Sequence, residues 1–106
     1  MYRYSTIEGF SVNGGHVDAA FLFCNLCELD VYGCIFNLCV FVDCTFENCT
    51  FRGTAFPGCK FVDCTFTGCQ FIQDNLGGEC SFDDTRWYGC TQSACEGLDG
   101  HVPRAV

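Results

Sequence analysis

Positive charge is scarce in this 106-residue chain: five Lys and Arg stand against thirteen Asp and Glu, for a formal net charge of −8 and a pI near 4.3. Direct nucleic-acid binding is therefore disfavoured, because cation–phosphate contacts supply most of its sequence-independent affinity. Catalytic residues are equally thin. His16 and His101, the two histidines, both lie in Gly-His-Val blocks without an evident nucleophile or carboxylate partner. No G-x-S-x-G, Walker loop, H-E-x-x-H or glycine-rich dinucleotide fingerprint is present, and Gly77-Gly78 alone is too short to cradle a phosphate. Long apolar runs are missing too. Residues 1–8 hold no apolar signal core, and the run from Ala19 to Cys27 is too short to span a bilayer. These absences predict a non-enzyme with no cofactor, no membrane association and no direct nucleic-acid contact, at home in a reducing cytoplasm.

What the chain has in abundance is cysteine and phenylalanine, twelve of each. They recur together every five residues: Cys34-Ile-Phe36, Cys39-Val-Phe41, Cys44-Thr-Phe46, Cys49-Thr-Phe51, Cys59-Lys-Phe61, Cys64-Thr-Phe66 and Cys69-Gln-Phe71, with Thr54-Ala-Phe56 filling the gap. A period of five matches neither the 3.6-residue repeat of a helix nor the alternation of an ordinary strand. It signals a solenoid of small stacked units. The blocks extend from Ser5 through a short Gly15-His-Val-Asp unit to Gly89 and more weakly beyond, so residues 1–106 read as one domain with its clearest repeats over 19–89. After Asp74-Asn-Leu, the Gly77-Gly78-Glu79 stretch is expected to add one residue before the phase resumes at Cys80.

These Cys-x-Phe units resemble the pentapeptide-repeat family, in which a small residue stands two positions before a central Leu or Phe. The resemblance implies an all-β, right-handed, four-sided parallel β-helix with one pentad per side and about five coils. At about 4.8 Å per coil the rod would be about 24 Å long and too smooth to hold a pocket. The first and third residues of each unit would point inward, and Gly or Asn at unit ends would form the corners. Twenty-residue stacking then predicts inner ladders Phe21–Phe41–Phe61–Phe82, Leu26–Phe46–Phe66–Trp87, Val31–Phe51–Phe71 and Phe36–Phe56–Leu76.

In this register Cys44, Cys49, Cys59, Cys64 and Cys69 are packing groups, as are all the cysteines except Cys27. Stacked pairs such as Cys44 and Cys64 would have Cα separations that allow a disulfide. A disulfide framework, however, gives no reason for constant spacing beside Phe. Cys24-Asn-Leu-Cys27 is a lone C-x2-C without the second pair that a structural zinc site needs. Cys27, off register and facing solvent, is the expected reactive thiol.

Function is expected on the outward surface. Asp43, Asp63 and Asp84 are predicted to stack on one side beside Asp83, and with Glu47, Asp74 and Glu79 to form the partner-binding set. The plainer alternative is that acidic corners merely keep the rod soluble. The resemblance extends to the acidic quinolone-resistance group of the family, which implies a DNA mimic that binds a protein partner such as DNA gyrase or topoisomerase IV, of bacterial, phage or mobile-element origin. The alternative is a scaffold or effector that uses a flat apolar side containing Leu22, Val40, Val42 and Val62. Tyr2, Tyr4 and Phe10 are expected to cover one rod end. Leu98, Val102, Pro103 and Val106 would cover the other or pair two chains into a homodimer.

Overall fold

The computed structural model describes residues 2–3, 6–8, 11–13, 15–17, 19–98 and 101–103, with side chains described over 19–98 and 101–103. Most pentads form a two- or three-residue strand and then turn a corner, while 54–58 and 80–84 contribute single bridges. The first coil contains β1 (Tyr2–Arg3), β2 (Thr6–Glu8), β3 (Ser11–Asn13) and β4 (His16–Val17). The second contains β5 (Ala20–Leu22), β6 (Asn25–Cys27), β7 (Asp30–Tyr32) and β8 (Ile35–Phe36). Next come β9 (Val40–Val42), β10 (Thr45–Glu47) and β11 (Thr50–Arg52), then β12 (Lys60–Val62), β13 (Thr65–Thr67) and β14 (Gln70–Ile72), and finally β15 (Arg86–Tyr88) and β16 (Thr91–Ser93).

All strand pairings are parallel, and they build the four sides of the β-helix. Side 1 is β1-β5-β9-β12-β15, side 2 is β2-β6-β10-β13-β16 and side 3 is β3-β7-β11-β14. Side 4 is β4-β8, continued by bridges from Ile35 to Ala55 and from Ala55 to Ser81. No helix occurs among the described residues. The short Gly15 block leaves its mark: the first coil pairs at nineteen residues, Thr6 with Asn25, and the next at twenty, Asn25 with Thr45. The body measures 32 × 30 × 27 Å, a short block instead of a slim rod, because five coils stacked at strand spacing rise no further than each coil is wide.

The core is a column of rings. Phe21, Phe41, Phe61 and Trp87 stack with centroids 4.8, 4.7 and 4.5 Å apart, Phe46 and Phe66 at 4.7 Å, and Phe51 and Phe71 at 4.7 Å. Ladders on adjoining sides meet edge-on, as Phe41 meets Phe46 at 5.4 Å. Stacked and edge contacts both suit the aromatic quadrupole and add about 0.5–1.5 kcal/mol per pair to the burial itself.

The ladders after the insertion differ from the sequence expectation. Phe61 pairs with Trp87 and Phe66 with Gln92, twenty-six residues on, while Phe82 stacks on Phe56 at 5.4 Å. Six residues, 74–79, therefore leave the coil where one was expected, and Leu76 is 94% exposed instead of inward. Asp74 organises this excursion, accepting from the Leu76 and Gly78 amides at 2.8 Å each through Oδ1.

Corners adopt the left-handed conformation. Gly33, Gly53, Gly58, Gly68 and Gly89 have positive φ, and so do Phe23, Glu28, Leu38, Asp43, Asn48, Asp63 and Asp84. Glycine is needed most at Gly89, where φ is 64° and a Cβ would run into the Asp63 carboxylate of the coil below.

Seven of the inward cysteines do more than fill space, donating to a carbonyl of the preceding coil. The Cys44, Cys64 and Cys90 thiols donate to the carbonyls of Phe21, Phe41 and Phe61 at 3.3 Å each, in the preceding coil. Thr85, in the same inward position, donates its hydroxyl to Phe56 O at 2.7 Å. A small side chain with a donor suits this position because the central residue's carbonyl otherwise faces an apolar interior.

Candidate functional site

The residues expected to bind a partner do not share one side. Asp43 and Asp63 follow β9 and β12 at the corner that closes side 1, and Gly89 continues that corner. Asp84 instead continues the Leu38–Gly58 corner, since the Gly58 amide donates to Asp83 O at 2.9 Å while the Asp63 amide donates to Tyr88 O at 2.7 Å. The predicted three-carboxylate ladder is thus a pair, and the third member lies one side away. The six-residue excursion causes this, by carrying everything after it back by one side.

Over β5, β9, β12 and β15 side 1 carries both signs of charge in equal number, and Arg3 of β1 adds a further cation in register with Leu22. Lys60 and Arg86 are paired neighbours on β12 and β15, exposed along one margin, and Asp43 and Asp63 are exposed along the other. Between the margins Leu22, Val42, Val62 and Tyr88 stand in register, the first three half-buried and Tyr88 50% exposed. Val40 is half-buried beside Ala20 in the same column as Lys60 and Arg86. Phe23 and Leu38, which sequence reasoning passed over, are exposed at 45% and 64% because their inward-looking types occupy corners.

Side 4 and the excursion that opens it carry the concentrated charge. Asp83 and Asp84 are exposed on that side, Glu79 is exposed at the end of the excursion, and Asp74 lies over Gly53 at the corner where it leaves. From Gln73 to Asp84 the chain contains four carboxylates and no Lys or Arg. Among the other described residues of side 4, namely 15–17, 34–38 and 54–58, no Asp, Glu, Lys or Arg occurs. Glu47 lies apart on side 2, in register with Cys27 and Thr67.

A cleft of about 260 Å³ opens beside the excursion, lined by Phe71, Ile72, Gln73, Glu79, Cys80, Phe82, Gly97 and His101. It corrects the expectation of a pocketless rod, and the displaced chain is what makes the space. Burial pushes the Cys80 thiol above its ordinary value, and that thiol is committed to Phe51 O at 3.3 Å and Ile72 O at 3.5 Å. His101 lies 4.9 Å from the Phe82 ring and 6.1 Å from the Trp87 ring, closing the end of the aromatic column.

All twelve cysteines stand as thiols. Cys64 holds its proton firmly, first through hydrogen bonding with Cys44 and Cys90 and then through burial. The same hydrogen bonds draw Cys44 and Cys90 down to about 7. Cys24 is buried in the core while Cys27 is half-buried on the outward face of β6, so the C-x2-C pair is split across the strand. Among the described residues no three His, Cys, Asp or Glu side chains are grouped to hold a metal.

At the far end Leu98 and Val102 are buried as expected. Gln92, where a ring would continue the Phe66 ladder, is fully buried and donates through Nε2 to Val102 O at 2.8 Å, while its amide donates to Pro103 O at 3.0 Å. Tyr2 belongs to β1, and Tyr4, Phe10 and Val106 lie outside the described residues.

Residues 32–73 match the family model described as Pentapeptide repeats (9 copies). Among solved structures, the chain is similar to Rfr23, a pentapeptide repeat protein from the cyanobacterium Cyanothece 51142, at 9% identity over 88% of each chain with a TM-score of 0.43. It is also similar to QnrB1, a plasmid-mediated fluoroquinolone resistance protein, at 14% identity over 85% of this chain and 56% of that one, with a TM-score of 0.29. No curated protein matches it.

Proposed function

We propose that this pentapeptide-repeat protein is a non-catalytic binding module that presents its acidic fourth side to a basic, DNA-binding surface of a partner protein, acting as a DNA mimic. The observation that carries this reading is the asymmetry of charge: Asp74, Glu79, Asp83 and Asp84 share one side and its excursion without a cation, while side 1 mixes Arg3, Lys60 and Arg86 with Asp43 and Asp63. Clustered exposed carboxylates raise the rate of encounter with a cationic groove and fix orientation more than they add contact energy. DNA gyrase and topoisomerase IV are the partners that the family resemblance proposes. The test is inhibition of gyrase supercoiling, or capture of gyrase, by wild type and by an Asp83→Asn/Asp84→Asn variant, with salt and competing duplex DNA as further arms. Binding that falls with the variant, with salt and with DNA supports the reading. Binding indifferent to all three rejects it.

A second reading rests on the Leu22–Val42–Val62–Tyr88 stripe, which would let side 1 act as an apolar adaptor surface. That mode would tolerate salt and DNA and fail with Val62→Glu.

A further inference from the structure

Side 1 has a pattern that none of the other sides shows. Read along a strand, its outward positions run from a column ending in Lys60 and Arg86, through the Leu22–Val42–Val62–Tyr88 stripe, to the corner bearing Asp43 and Asp63. From the second coil to the fifth, charge of one sign lies on one margin, charge of the other on the opposite margin, and an apolar stripe lies between them; in the first coil Arg3 of β1 stands in register with Leu22 at the end of that stripe. A surface of this kind is complementary to itself under one particular symmetry operation.

We infer that side 1 pairs with side 1 of a second copy, around a two-fold axis parallel to the β-helix axis. Rotation about that axis reverses the strand direction while keeping the coils level. Lys60 of one copy then lies over the Asp43–Asp63 corner of the other, Arg86 reaches the same corner from the next coil, and both contacts occur twice. From the second coil to the fifth the two apolar stripes meet in the middle, and the Arg3 positions of the first coil fall at the end of the patch. An isologous interface of this type needs only one self-complementary patch. The competing arrangement, with the axis across the two bodies, flips the coil order without reversing the strands. It would set Asp43 against Asp63 of the other copy, and like charges brought together across an interface oppose association.

The size of the side sets the strength. Five strands at about 4.8 Å spacing, each offering two outward residues and a corner, make a patch smaller than the ~800 Å² per partner of standard stable interfaces. Pairing is therefore concentration-dependent, with a dissociation constant in the micromolar range or weaker. It also leaves the fourth sides of both copies facing outward, so it neither requires nor replaces the acidic binding reading.

Sedimentation equilibrium from low-micromolar to millimolar protein tests the inference. Wild type should show a monomer–dimer equilibrium. Lys60→Glu/Arg86→Glu, which places carboxylates over carboxylates, should weaken it at least tenfold at low salt. In 1 M salt, where the Debye length is only about 3 Å, that variant should recover most of its pairing because the apolar stripe is intact. Val62→Glu should remain monomeric at every salt concentration, with circular dichroism confirming that both variants fold. Wild type that stays monomeric at millimolar concentration overturns the inference. So does a dimer that both folded variants leave unchanged, which would place the contact elsewhere, such as a β-helix end.

Discussion

Replacing Phe61 by Ala tests the register and the core together. Phe61 is 2% exposed, stacks on Phe41 at 4.7 Å and on Trp87 at 4.5 Å, and lies tilted against Phe66 at 5.8 Å. Removing a buried ring costs about 3–5 kcal/mol from lost transfer and the cavity left behind. The parallel strands on either side hold their spacing through the ladder, so the site collapses poorly and the upper part of that range applies. For a domain of this size, each kcal/mol lowers Tm by about 4–8 °C, so a cost of about 4–5 kcal/mol should lower Tm by at least about 16 °C or prevent folding at 37 °C. Outward Thr65→Ala should cost less than about 0.5 kcal/mol. Trp87 is the chain's single tryptophan and reports the geometry directly. Its emission in the folded state should change more for Phe61→Ala than for Phe66→Ala, because Phe66 meets the indole only edge-on at 6.0 Å. Urea titration followed by fluorescence and circular dichroism gives both quantities. Equal costs for Phe61 and Thr65, or an emission change larger for Phe66, would refute the reasoning.

Deleting residues 74–79 should give a folded protein with the same strand content, because joining Gln73 to Cys80 restores a twenty-residue coil; loss of the circular dichroism signal would show that the excursion is structural. Gly89→Ala should destabilise by about 1–2 kcal/mol, from the left-handed φ and the Asp63 contact, measured by denaturant titration. Thiol labelling should reach the half-buried Cys27 first and the core cysteines only on unfolding, and a reductant should leave Tm unchanged; mass spectrometry that finds native disulfides would contradict this. Gln92→Leu should expose the C-terminal segment to proteolysis, because it removes the Nε2 hydrogen bond to Val102 O, and limited proteolysis followed by mass mapping reads the outcome.

The pentad by itself determined the architecture. A residue that must be small and a residue that must be large and apolar, two apart and repeated every five, can be buried together only if the chain turns a corner once per unit, and the Cys-x-Phe series from Cys34 to Phe71 states that condition eight times, with Thr54 standing in once. The inward place of Cys44, Cys49, Cys59, Cys64 and Cys69 and of the rings beside them followed from the same pattern, as did the corner conformation of Gly53, Gly58, Gly68 and Asn48. Even the buried Gln92 left a trace, since it occupies a central pentad position where Phe is expected. What the pattern cannot carry is the length of an excursion. An insertion of one residue and an insertion of six leave the five-residue phase identical, yet they differ by one whole side of the β-helix. Phe82, Trp87 and Asp84 were for that reason placed one side too far along, and only the hydrogen-bonded pairing of Lys60 with Arg86 and Phe61 with Trp87 decides between the two. The same step determines where the charges gather. Carboxylates distant in sequence become neighbours, or are neutralised by Lys60 and Arg86, according to which coil lies above which, and that is a property of stacking in three dimensions.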